Sequence, residues 1–205
     1  MKVGVWLNEH INKELGGGFS YTDKLIKLID DYSFSKDVEI VFISRESNIK
    51  SYNKEEIYLE YNNTIVKTSW KQIFKNFIIS KVSYLKSIKK KVDSKANEKQ
   101  VNDWYKIQLL KEGISVIYYP TQTQCFIEDF PFIATNWDIG HLSMFAFPEV
   151  NHKQIFENRD NWYQKKLRKA LAIFAESNTG KEELSTYLNI NPARIKVFPI
   201  FPGDV

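Results

Sequence analysis

Short runs rich in β-branched and aromatic residues alternate along this chain with stretches of helical period, an order that fits a parallel sheet covered by helices. The spacing predicts strands over Lys2 to Leu7, Glu39 to Ser44, Ile114 to Tyr119, Phe132 to Asn136, Ile173 to Ala175 and Lys196 to Pro199. Helices are expected over Phe19 to Asp31, Val101 to Glu112, Arg159 to Ala170 and Thr179 to Leu188. Leu25, Ile26, Leu28 and Ile29 give the first an apolar face, Gly113 stops the second, and Ser177 or Asn178 caps the last. The stretch Glu56 to Thr68 departs from the alternation. Two β-rich runs there, Ile57 to Tyr61 and Thr64 to Thr68, flank Asn62-Asn63, a pattern that suits a tight antiparallel hairpin. The expected fold class is α/β: a Rossmann-like, doubly wound, mostly parallel sheet with helices on both faces and a small β-hairpin insertion.

A length of 205 residues allows one such domain, or one half of a two-domain enzyme, and leaves no room for two catalytic domains. The single cysteine, Cys125, excludes an internal disulfide framework and a cysteine-built zinc site, so a reducing compartment is expected. The apolar run at Val3 to Leu7 is interrupted by Asn8-Glu9-His10 too early for a signal peptide, and no window approaches the roughly 18 apolar residues of a membrane span. A cytoplasmic location is the resulting expectation. Net charge is only +4 and lysines are interleaved with acids, so no nucleic-acid partner is indicated. Between 70 and 91, Ile73, Phe74, Phe77, Ile78, Val82, Leu85 and Ile88 recur at helical spacing among lysines. That pattern fits either a peripheral contact with an anionic membrane or a helix packed on the sheet with solvated lysines outside.

Three places carry candidate chemistry. The strand Phe132 to Asn136 runs into Trp137-Asp138-Ile139-Gly140-His141, delivering two titratable groups to the carboxyl edge where open α/β sheets keep their ligand crevice. Asp138 and His141 serve there as a general base or as acceptors for substrate hydroxyls; the competing reading is a turn-capping aspartate and a satisfied, partly buried imidazole. Trp137 either stacks on a sugar ring or packs the crevice. Gly16-Gly17-Gly18 precedes the first helix, where unpaired N–H groups and the positive dipole end suit a phosphate, although a plain flexible turn reads the same way. No Gly-Lys-Ser/Thr follows, which excludes a P-loop, and Tyr21 spoils a dinucleotide fingerprint. The loop Thr121-Gln122-Thr123-Gln124 offers four neutral hydrogen-bonding side chains at the same edge, suited to a polyhydroxylated ligand. His10, His152, Glu9 and Glu149 lack metal-ligand spacing, so neither a metal nor a cofactor is expected.

In order and spacing these residues resemble the N-terminal half of a GT-B glycosyltransferase of the group 1, family 4 type. The likeness rests on Gly16-Gly17-Gly18, on Tyr118-Tyr119-Pro120-Thr121, on Trp137 to His141 with Phe147-Pro148-Glu149 behind it, and on the tail from Arg159 through Ala175 to Lys181 and Arg194 to Pro199. It implies a Rossmann-like domain over residues 1–198, with 199–205 beginning a linker to an absent C-terminal domain that binds a nucleotide-sugar donor. It further implies a retaining, metal-independent, hexosyl-type transfer to a glycan or glycolipid acceptor, with this chain as the acceptor-binding half. Carried over by position, Gly16, Gly17 and Gly18 approach the donor phosphates or sugar, Asp138 and His141 line the acceptor side as catalytic candidates, and Thr121, Gln122, Gln124 and Trp137 bind the acceptor. In many relatives the Asp directly follows a His, whereas here Trp137 precedes Asp138. The donor half's Glu-x7-Glu signature and basic phosphate-binding residues are missing, so the chain alone is expected to be inactive. The alternatives are a non-catalytic carbohydrate- or lipid-linked-sugar-binding module, or one subunit of a two-chain transferase.

Overall fold

The computed structural model describes residues 1–7, 17–45, 52–61, 98–122, 127, 129–144, 146–148 and 154–201. In chain order the described elements are β1 (Lys2–Trp6), α1 (Gly17–Asp31), β2 (Glu39–Ser44), β3 (Glu56–Tyr58), α2 (98–111), β4 (Val116–Tyr119), β5 (Phe132–Asn136), α3 (Gly140–Ser143), α4 (Ile155–Lys165), β6 (Ala172–Ala175), α5 (Asn178–Leu188) and β7 (Ile195–Val197). The strands form one sheet in the order β3-β2-β1-β4-β5-β6-β7, and every neighbouring pair is parallel. This is the doubly wound α/β fold that the alternation predicts. Strand order reverses between β1 and β4, which makes the carboxyl ends of β1, β4 and β5 the place for a ligand crevice.

Burial on both faces explains why these strands read as continuous apolar runs. On one face Val5, Leu7 and Phe42 pack against Ile26 and Ile29 of α1. On the other, Val41, Ile43, Ile117, Ala134, Ile173 and Ile195 join Leu109 of α2, Trp162 and Tyr163 of α4, and Leu184 and Leu188 of α5 in the main core. The caps follow the residues. Gly113 takes a left-handed φ of 71° past the end of α2, a conformation that side chains disfavour, and Ser177 Oγ accepts from Gly180 N at 2.9 Å to cap α5.

Several boundaries differ from expectation, and four of them have a visible cause. Glu56–Tyr58 pairs parallel with β2 as the edge of the main sheet, because Phe42 N donates to Glu55 O and Leu59 N to Ser44 O, each at 2.9 Å. The first arm of the expected hairpin is therefore an edge strand, and 62–68 lie outside the described residues. The helix expected from Arg159 begins at Ile155 and ends at Lys165, and a 3-10 turn over Leu167–Lys169 completes it. There Arg194 donates to the carbonyls of Arg168 and Ala170, which takes over the bonds that a longer helix would supply. β4 starts at Val116 because Ile114 N closes onto Leu109 O of α2. β7 stops early because Phe198 N makes a last bond to Ala175 O and Pro199 has no N–H to offer. Residues 70–91 lie outside the described residues, and no helix among those described is long and apolar enough to cross a membrane.

Candidate functional site

β5 ends at the buried Asn136, whose register partner is Ala175, and the chain then leaves the sheet at Trp137. The next two peptide units are held by side chains distant in sequence. Trp137 N donates to Gln122 Oε1 at 3.0 Å, while the Asp138 carbonyl accepts from Tyr163 OH at 2.8 Å and from Gln122 Nε2 at 3.3 Å. The Asp138 carboxylate is half exposed, yet its Oδ1 accepts from Gly140 N at 2.8 Å and from Arg159 Nη2 at 2.6 Å. The first bond is the turn-capping arrangement weighed for this residue; the second is a charge-assisted pair with an arginine that is only 18% exposed.

The glycine segment and the Trp-Asp turn meet. Gly16 lies outside the described residues and Gly17 opens α1. A Cβ at Gly18 would stand 3.2 Å from Cζ3 and Cη2 of Trp137, so a side chain there would press on the indole. Tyr21, one turn further along α1, meets the same indole edge-on with centroids 6.0 Å apart. Thr22 Oγ1 donates to Gly18 O at 2.8 Å. The first turn of α1 contains no acidic residue that would neutralise its positive end.

His141 is enclosed. Its side chain has no exposure, its ring packs on Tyr163 at 4.8 Å and Phe156 at 5.8 Å, and neither ring nitrogen has a hydrogen-bond partner among the described residues. Burial, and then the neighbouring Arg159 charge, push its pKa below the ordinary 6.5, so the ring is neutral at pH 7. The sequence places Asp138 and His141 together at the strand end, but packing turns one toward solvent and the other into the helical layer. Among the expected acceptor-binding residues, Thr121 is buried, Gln122 has its amide engaged by the Trp-Asp turn, and Gln124 lies outside the described residues.

Sequence reasoning missed Arg159 and Tyr163 as site residues. Their i, i+4 spacing on α4 was the available signal, since it puts both on one helix face. Burial raises the Tyr163 hydroxyl to about 12, which keeps it a proton donor across the neutral range. Burial likewise raises Tyr118 on β4 to about 12, and its hydroxyl lies 3.3 Å from Thr135 Oγ1. After β7 the chain folds back: Phe198 packs on Phe174 at 5.7 Å and Phe201 on Tyr21 at 4.8 Å, which closes the α1 side of the crevice with aromatic rings. Asn136 Oδ1, Trp137 Nε1 and Glu176 Oε2 are buried without a hydrogen-bond partner among the described residues. Among the described residues no group of three His, Cys, Asp or Glu side chains is placed to hold a metal ion.

No protein-family profile matches the chain, and no curated protein matches it. Solved structures do match. One is the crystal structure of a glycosyltransferase from Rickettsia africae ESF-5, similar over 97% of this chain at 11% identity with a TM-score of 0.46. The chain spans 42% of that protein's length. A likeness so distant transfers neither substrate nor mechanism.

Proposed function

We infer that the chain is the acceptor-binding half of a glycosyltransferase that moves a hexosyl group from a nucleotide-sugar to a glycan or glycolipid acceptor, with retention of anomeric configuration. The observation that carries this reading is the contact between Gly18 and Trp137: it joins a glycine-led, acid-free helix end to an aromatic turn bearing a half-exposed carboxylate at the sheet's switch point. The α1 end offers N–H groups to a donor diphosphate, the indole edge bounds the sugar, and Asp138 accepts from an acceptor hydroxyl. Transfer requires stabilising a cationic sugar and a departing diphosphate together, which needs groups on both sides of a cleft. A second domain is expected to supply the donor side, and residues 70–91 are a candidate peripheral membrane contact.

The test is transfer of labelled hexose from a panel of nucleotide-sugars to extracted cell glycolipid, using the complete protein and Asp138→Asn. Product formation that drops at least tenfold in the variant supports the reading; activity unchanged by the substitution sinks the site. A second reading is favoured by one specific observation, the engagement of Asp138 Oδ1 by Gly140 and Arg159 while His141 is enclosed. On that reading the chain is a non-catalytic module for carbohydrate or lipid-linked sugar. Saturable sugar binding without any transfer would select it.

A further inference from the structure

We propose that Gln122, Arg159 and Tyr163 are positioning residues that latch the Trp137–Asp138 turn and so set where the Trp137 indole meets the first turn of α1. The sheet ladder ends at Asn136 and Ala175, so nothing in the strand pairing holds the two residues that follow. A turn beyond a strand end ordinarily gives its backbone groups to water or to local partners. Here the Trp137 N–H and the Asp138 carbonyl are taken by side chains from the β4 loop and from α4, and the carboxylate by a third.

The latch has a defined order. Gln122 Oε1 accepts from Trp137 N, which leaves Gln122 Nε2 to donate to the Asp138 carbonyl and to Tyr163 OH at 2.5 Å; Tyr163 OH donates onward to the same carbonyl. Reversing the Gln122 amide would set its NH2 against the Trp137 N–H, so the turn accepts one orientation only. Tyr163 is itself pinned, almost fully buried between the rings of Trp162 at 4.7 Å and His141 at 4.8 Å. This gives His141 a role: its ring is one wall of the socket that aims the tyrosine hydroxyl. Arg159 lies over the Tyr163 ring at 5.8 Å and binds the Asp138 carboxylate, which ties the side chain of the turn to the helix that ties its backbone. On the far side the indole lies against Gly18 and Tyr21. The latch therefore sets the distance between the α1 end and Asp138, and a misplacement of about 1 Å between reacting groups costs on the order of 100-fold in rate.

The kinetic arm of the test rests on the transferase reading, whereas the spectroscopic arm does not. The full chain is labelled with 5-fluorotryptophan, the Trp137 fluorine resonance is assigned with Trp137→Phe, and amide exchange at Trp137 is followed by hydrogen exchange. Tyr163→Phe and Gln122→Leu are each expected to shift or broaden the Trp137 resonance and to speed exchange of its amide at least tenfold. The Trp6 and Trp104 resonances should stay in place, and Tyr187→Phe at an exposed position of α5 should change nothing. An unmoved Trp137 resonance with unchanged exchange in both variants overturns the latch. If Tyr163→Phe fails to fold, seen as loss of the Trp6 and Trp104 resonances as well, the half-buried Gln122→Leu decides by itself. In the complete transferase Tyr163→Phe is expected to lower kcat about tenfold while KM for the nucleotide-sugar stays within twofold. Absence of transfer in the wild type removes the functional reading and leaves the fluorine result to judge the latch.

Discussion

Asp138 and His141 stand three positions apart on one turn, yet they occupy opposite environments. Asp138 is half exposed and makes polar interactions with Gly140, Arg159, Tyr163 and Gln122. His141 is wholly buried, touches aromatic rings and has no hydrogen-bond partner for either nitrogen among the described residues. On the proposed reading the aspartate side serves the crevice, while the histidine side packs behind it. Closeness in sequence to a candidate catalytic group is thus a poor guide to role where the chain turns from a strand edge into a helical layer.

The comparison is most sharply tested at Asp138. Asp138→Asn keeps an acceptor for Gly140 N but removes the charge, and on the proposed transferase reading kcat/KM is expected to fall between tenfold and 100-fold with the melting curve nearly unchanged. Next in size is His141→Ala, which empties a buried ring site and is expected to cost about 2 kcal/mol of stability and, because that ring walls the Tyr163 socket, to lower the kcat/KM of folded protein by no more than about tenfold. The companion His141→Phe, which fills the site without unpaired nitrogens, should recover that loss. A catalytic collapse in His141→Phe with intact folding would break the division drawn between the two residues.

A smaller effect concerns pH. The folded-state pKa of His141 is depressed, so the unfolded chain binds the proton first; this contribution is fully present above the ordinary value of 6.5 and is lost as pH falls below it. The slope cannot exceed about 1.4 kcal/mol per pH unit, and it should be absent in His141→Phe, as chemical denaturation at a series of pH values would reveal. Smallest is Gly18→Ala, where the new Cβ meets Trp137 at 3.2 Å; a net loss of about 0.5 to 1 kcal/mol is expected, the displaced indole costing more than alanine gains over glycine in a helix. A raised melting temperature there, the gain of a helical alanine with nothing to offset it, would mean that the indole does not bear on α1 in solution.

Much of the frame was legible because local chemistry and global position agree. Buried parallel strands must be apolar on both faces, so Glu39–Ser44 and Phe132–Asn136 stand out by composition alone. Gly113 and Ser177 signal helix ends by conformational preference and by a hydroxyl acceptor, neither of which depends on a distant partner. Glu56–Tyr58 misled because an edge strand of the main sheet and the arm of a hairpin share one pattern, and only pairing with β2 separates them. Gln122 misled in another way: its amide looks free for a ligand until the Trp137 N–H and the Asp138 carbonyl arrive beside it.

By itself the sequence determined the alternation of strands and helices, the doubly wound parallel sheet, and the arrival of Trp137 and Asp138 at its carboxyl edge, because these follow from periodicity and caps acting over a few residues. Only the tertiary structure decided that Arg159 pairs with Asp138, that Tyr163 and Gln122 hold the turn between them, that Gly18 meets Trp137, and that His141 is enclosed. Those contacts join residues from elements that touch only once the sheet has formed and its helices have docked, and no local preference records which side chains will then face one another.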